Sequence, residues 1–168
     1  LGLGYDVLSA RHQRLIVCDI SGYGPDGPYR DRKAYDLLIQ AESGLASITG
    51  GPEAPARVGV SVVDIATGMH AYEAILEALI VRGRTGEGAD IRVSMFDAMV
   101  SMTDLVTNFW SMGLRPGGPG PLLIMDGFRA SDGWFIMQVG REHQFERLAA
   151  LVGHPEWVDD PRFATRQG

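Results

Sequence analysis

The order of apolar patterns along the 168-residue chain predicts an α/β fold. "RLIVCDIS" (residues 14–21) is an unbroken apolar run of the kind used by a parallel strand buried on both faces. "ADIRVSM" (89–95) alternates Ile91 and Val93 as a second strand. Segments with helical spacing lie around and between them, giving the order helix, strand, helix, helix, strand, helix.

The elements follow in order. "YDVLSARH" reads as a short opening helix. "AYDLLIQAESGLASITG" places Ala34, Leu37, Leu38, Ala41 and Leu45 on one helical face and ends at Gly50 and Gly51. Extended Val58–Val63 then leads into a helix from Asp64 to about Val81. Its Ile65, Met69, Tyr72, Leu76 and Leu79 share a face predicted to be core. Glu73, Glu77 and Arg82 fall on the wet side, and the glycines of "GRTGEG" stop the helix, with Arg82 and Arg84 complementing its dipole. After the second strand, "FDAMVSMTDLVTNFWSMG" returns to helical spacing. "LRPGGPGP" (114–121) can hold neither helix nor central strand and marks a domain boundary. "GWFIMQVG" and "REHQFERLAALVG" beyond it read as the strand and helix of a smaller unit.

Asp64 heads an otherwise apolar helix, and two compatible readings attach to it. As an N-cap, its carboxylate would accept a first-turn N–H, a contribution of about 0.5–2 kcal/mol. As a functional group, it would be an anion aimed at a ligand with the helix dipole behind it, a nucleophile or a base.

Composition excludes several classes. With 45% hydrophobic and 21% charged residues the chain buries one sizeable core. A net charge of −6 argues against a general nucleic-acid or anionic-membrane surface. The single cysteine, Cys18, excludes an internal disulfide and a Cys-based zinc site, and reads as a small buried hydrophobe. No apolar run approaches a membrane span, and a cytoplasmic location is expected. The chain lacks an initiator Met and closes on the polar "DDPRFATRQG", which suggests a fragment.

Gly22, Gly24 and Gly27 spell G-x-G-x-x-G after a strand, the dinucleotide fingerprint. Pro25 and Pro28 interrupt it, however, and helical spacing starts only near Ala34, so a glycine-rich turn is expected there. No G-x-S-x-G is present. His70 lies six residues, about 240°, round the helix from Asp64, so the two form no local dyad. His12, His143 and His154 lack metal-site spacing. Arg30, Arg32 and Lys33 cluster just before a helix and suit either phosphates or plain solvent.

"ISGYGPDGPYRDRKAYDLLIQAESGLASITG" and "VVDIATGMHAYEAILEALIVRGRTGEGADIRVSMFDAM" resemble the class III CoA-transferases, the group of formyl-CoA transferase, carnitine CoA-transferase and the racemase of 2-methylacyl-CoA esters. The resemblance spans almost the whole chain. It implies part of a Rossmann-like large domain over residues 1–115 whose N-terminal region is missing. A Gly/Pro linker at 116–121 and the truncated start of a small α+β domain at 122–168 would follow.

The same resemblance implies that Asp64 is the covalent catalytic nucleophile, attacking an acyl-CoA and carrying CoA to a carboxylic acid. It places Tyr35 and Asp36 as an active-site pair and Lys33, Met95 and Arg30 at coenzyme A. Asp36 is Glu in formyl-CoA transferase, and the racemase branch has His in place of Tyr35, which favours transfer. No tightly bound cofactor or metal is implied, coenzyme A being a substrate, and the full-length partner would be a second copy in an interlocked homodimer. An acyl-CoA racemase and a catalytically dead CoA-binding module are the alternatives.

Overall fold

The computed structural model describes residues 2–50, 53–113 and 124–163. They form two compact units, Leu1–Leu105 and Val106–Gly168. The Gly/Pro stretch 116–121 lies outside the described residues.

The first unit runs α1 (Tyr5–Ser9), β1 (Ile16–Ser21), α2 (Asp36–Glu42), α3 (Leu45–Gly50), α4 (Val62–Thr85), β2 (Ala89–Ser94) and α5 (Met95–Met102). β1 and β2 pair in parallel, Ile16 opposite Ala89 and Ser21 opposite Ser94. Parallel neighbours need a long crossover, which α2, α3 and α4 supply. The α/β expectation holds.

α4 packs against both strands. The face it buries consists of Val63, Ala66, Thr67, Ala71 and Ala78, mostly small side chains that let a 24-residue helix lie close to its neighbours. This corrects the expected core face: Ile65, Met69, Tyr72, Leu76 and Leu79 are 40–63% exposed. Their spacing is helical as read, but the stripe points away from the sheet. The helix also begins two residues before Asp64, and it ends at Gly86, whose φ of 81° only glycine adopts readily and whose N–H reaches Arg82 O at 2.9 Å.

The segment read as one helix over 34–50 is two, because Gly44 (φ +83°) turns the chain between α2 and α3. The next long helix likewise divides at Thr103, whose hydroxyl bonds back to Met99 O at 3.2 Å. There α6 (Asp104–Ser111) begins. Ile39, Val63, Ala66 and Met99 form the buried cluster at the junction of α2, α4 and α5, with Ala34, Met95 and Phe96 packed on it. Each large member contributes roughly 1.5–3 kcal/mol by leaving water. Cys18 is half-buried rather than buried, and that burial, with Asp19 adding, pushes its thiol pKa up.

In the second unit β3 (Ile124–Arg129) and β4 (Trp134–Val139) form an antiparallel hairpin closed by Ala130 N–H to Gly133 O at 2.8 Å. α7 (Glu142–Leu151) follows. β4 and α7 are the strand and helix expected there. β3 has no counterpart in the sequence reading.

Candidate active site

The carboxyl ends of β1 and β2 are tied together. Phe96 N–H donates to Gly22 O at 3.0 Å, and Ser94 caps α5 by accepting Asp97 N–H at 3.2 Å. Gly22 has no room for a side chain, because a Cβ there would collide with that of Ala34. Gly24 takes φ +81° and donates its N–H to Ser21 Oγ at 3.1 Å. From this end the chain runs through an irregular loop to α2, whose first residue is Asp36. A helix therefore opens well after the glycines, as the rejection of a dinucleotide loop requires.

α4 leads back to the amino end of β2, so its own N-terminus lies beyond the carboxyl ends of the strands. Its N-cap is Ser61, which makes no side-chain capping bond. The cap comes instead from α2: Asp36 Oδ2 accepts Val63 N–H at 2.8 Å. Asp36 Oδ1 accepts Gln40 Nε2–H at 2.6 Å, and Gln40 Oε1 accepts Val58 N–H at 2.9 Å. Both backbone donors flanking the entry to α4 thus end on one Asp–Gln pair.

Asp64 is therefore not the N-cap, which corrects the structural reading of it. It stands one position past the capped Val63 in the first turn, exposed. Among the described residues no hydrogen bond or ion pair engages its carboxylate. The positive end of the helix dipole favours the negative charge, and a free oxygen pair faces outward.

The other expected site residues lie in the loop before α2, at the start of α2 and at the start of α5. Tyr35 is the exposed N-cap of α2, next to Asp36, which is bonded to the residue preceding Asp64. Met95 is half-buried against the cluster that holds Val63 and Ala66. Lys33 is exposed beside Ala34, another contact of that cluster. Arg30 pairs with its neighbour Asp31 at 3.2 Å, both exposed. Arg32 lies 3.7 Å over the Tyr29 ring and 3.4 Å from Glu42, so among the described residues Lys33 is the cation of this cluster with no ion pair.

Gln40 is the residue that the sequence reading lacks. It is completely buried, and a signal exists, since Asp and Gln four apart on a helix are positioned to bond.

One arrangement imitates a hydrolytic triad. Ser101 Oγ lies 3.2 Å from His70 Nε2, and His70 Nδ1 lies 3.5 Å from Glu73. Ser101 Oγ also reaches Ala98 O at 2.7 Å, however, an acceptor that competes for its single proton. The set ties α4 to α5. An open basic cleft of about 590 Å³, lined by Arg11, His12, Arg14 and Arg82, sits at the amino ends of the strands, away from Asp64.

A parallel β–α–β unit of this kind makes the protein an α/β protein, the class in which ligands are usually bound beyond the carboxyl ends of the strands. The chain belongs to CoA-transferase family III, matched over residues 1–168. It is 39% identical to an acetyl-CoA:oxalate CoA-transferase of Acetobacter aceti over 97% of this chain and 44% of that protein. To a succinate–glutarate CoA-transferase of Agrobacterium fabrum it is 37% identical over 99% of this chain and 43% of that one. A crystal structure of a CAIB/BAIF family protein from Brucella suis superposes with a TM-score of 0.75 at 38% identity, covering 99% of this chain and 46% of that one. The chain spans less than half the length of these relatives.

Proposed function

We propose that the complete protein moves coenzyme A from an acyl-CoA to a carboxylic acid, with Asp64 as the covalent nucleophile. The observation that carries this reading is the exposed carboxylate in the first turn of α4, unengaged among the described residues, within a family with relatives named as CoA-transferases.

The bonds balance without an external reagent. An Asp64 oxygen attacks the thioester carbonyl, forming a mixed anhydride as the C–S bond breaks and CoA leaves as thiolate. The thiolate then attacks the Asp64 carbonyl carbon, releasing the donor acid and leaving an aspartyl-CoA thioester. The acceptor carboxylate attacks that thioester, expelling CoA as thiolate and forming a second mixed anhydride, and the thiolate then attacks the acceptor's carbonyl carbon, giving the new acyl-CoA and freeing the Asp64 carboxylate. The thioester's free energy is kept throughout, and the helix start favours the returning aspartate anion.

Within this reading Tyr35 and Asp36 border the reacting centre, Asp36 through its bond to Val63 N–H rather than by touching substrate, while Lys33, Arg30 and Met95 meet coenzyme A. Lys33 is supported by its exposure and by the absence of an ion pair to it among the described residues. Residues 1–115 belong to a large domain and 122–168 to a small one, joined at 116–121. The exposed α4 stripe and a parallel sheet of only two strands among the described residues favour further polypeptide, from the same chain and from a second copy, packing on this unit. Among the described residues no helix is long and apolar enough to cross a membrane, and a cytoplasmic site of action is part of the proposal.

The test is to incubate the complete protein with a panel of acyl-CoA donors and carboxylate acceptors. Transfer predicts a new acyl-CoA made from the acceptor. Deuterium exchange α to the thioester with no CoA transfer would establish a racemase instead, and CoA binding with neither reaction would establish a binding module.

A further inference from the structure

We infer that Gln40 is a positioning residue for Asp64, acting through Asp36 and Val58; the inference rests on the covalent transfer proposed above. Gln40 is 0% exposed, so it touches no substrate, yet its amide is bonded at both its oxygen and its nitrogen. The polarity of the chain of bonds is forced. Backbone N–H groups only donate, so Val58 at 2.9 Å requires Gln40 Oε1, which turns Nε2 toward Asp36 at 2.6 Å. Asp36 must then accept on both oxygens, the second from Val63 N–H at 2.8 Å. Only a carboxylate at 36 and an amide at 40 complete all three bonds in this order.

The consequence falls on Asp64. The segment Val58–Val63 is held near both ends by one pair on α2, and Asp64 is the next residue. Its carboxylate makes no bond of its own among the described residues, so its bearing comes from this anchored backbone. A displacement of about 1 Å of a reacting group costs on the order of a hundredfold in rate.

The same polarity supplies the test, which uses the complete protein and follows formation of the acyl adduct at Asp64. Gln40→Glu keeps the Val58 bond but sets two carboxylates against each other. Asp36→Asn leaves at least one donor facing another, whichever way the amides are turned. Asp36→Asn combined with Gln40→Glu restores every bond with one reversed. The amide now at position 36 donates to the carboxylate now at position 40 and accepts Val63 N–H, while that carboxylate accepts Val58 N–H.

Each single variant is expected to slow adduct formation about a hundredfold, with half-saturation by acyl-CoA moving far less. The double variant is expected to recover most of the rate, and because all its bonds are made it carries the test even where a single variant folds poorly. Single variants that label Asp64 at the wild-type rate would overturn the inference. So would a folded double variant that binds acyl-CoA yet stays as slow as Asp36→Asn, since the Asp36 charge itself would then act on substrate. A wild-type protein that never labels at Asp64 would instead remove the covalent reading, and the inference with it.

Discussion

The carboxylate of Asp36 accepts the N–H of Val63 across 27 residues of sequence at 2.8 Å, so α2 caps the helix on which Asp64 is carried. The local N-cap, Ser61, contributes no side-chain bond. Asp36→Ala should therefore cost about 0.5–2 kcal/mol of stability, as the loss of a capping carboxylate does, whereas Ser61→Ala should cost a few tenths at most. Chemical denaturation of the two variants compares them directly. Equal losses would return the cap to Ser61.

A second prediction concerns the close approach of Gly22 and Ala34. A methyl group at 22 meets the one at 34, so Gly22→Ala should destabilise by about 1–3 kcal/mol. Adding Ala34→Gly removes the opposing methyl and should return part of that loss. A double variant no better than the single would show that the glycine is needed for another reason.

Much of this architecture is legible in the sequence, for reasons the structure makes plain. "LIVCDIS" and "ADIRVS" read as strands because the apolar run of the first and the alternating apolar residues of the second meet at Ile16–Ala89, Cys18–Ile91 and Ile20–Val93, although β1 is at most half-buried here rather than buried on both faces, and the glycine stop after α4 is the left-handed Gly86. The buried face of α4 is not legible, because bulk is no mark of burial there. Ala66, Ala71 and Ala78 lie inward because small residues allow close approach, while Ile65 and Tyr72 lie outward. The Asp36 cap is invisible in the sequence because no local pattern joins residues 36 and 63. Asp64 itself stands out, but its surroundings change its structural role: Asp36 does the capping, and among the described residues the Asp64 carboxylate makes no bond.

The exposed stripe on α4 gives a third prediction. Tyr72→Glu should change the stability of the isolated 168-residue chain by no more than about 0.5 kcal/mol, because Tyr72 is 63% exposed there. In the complete protein the same change should disrupt assembly, measured by light scattering, if further polypeptide covers the stripe. The isolated chain should also lack transferase turnover. An unaffected assembly would leave the stripe as ordinary surface.

For coenzyme A, Lys33→Ala should weaken binding more than Arg84→Ala. Lys33 is a cation without an ion pair among the described residues, in the loop beyond the strand ends, whereas Arg84 lies in the last turn of α4, near the amino end of β2. A charge-assisted phosphate contact is worth about 1.5–3 kcal/mol, or tenfold and more in affinity. Titration calorimetry with CoA on the complete protein compares them, and equal losses would remove Lys33 from the site.

The most direct measurement is the covalent one. The complete protein is incubated with acyl-CoA, treated with hydroxylamine or borohydride, digested, and the peptide containing "SVVDIATGMH" is sequenced by mass spectrometry. Modification is expected at Asp64 and should vanish in Asp64→Asn, which should stay folded because Val63 remains capped by Asp36. Modification at Glu73 or Asp97 instead, or full turnover by the Asn variant, would contradict the assignment of Asp64 as the nucleophile.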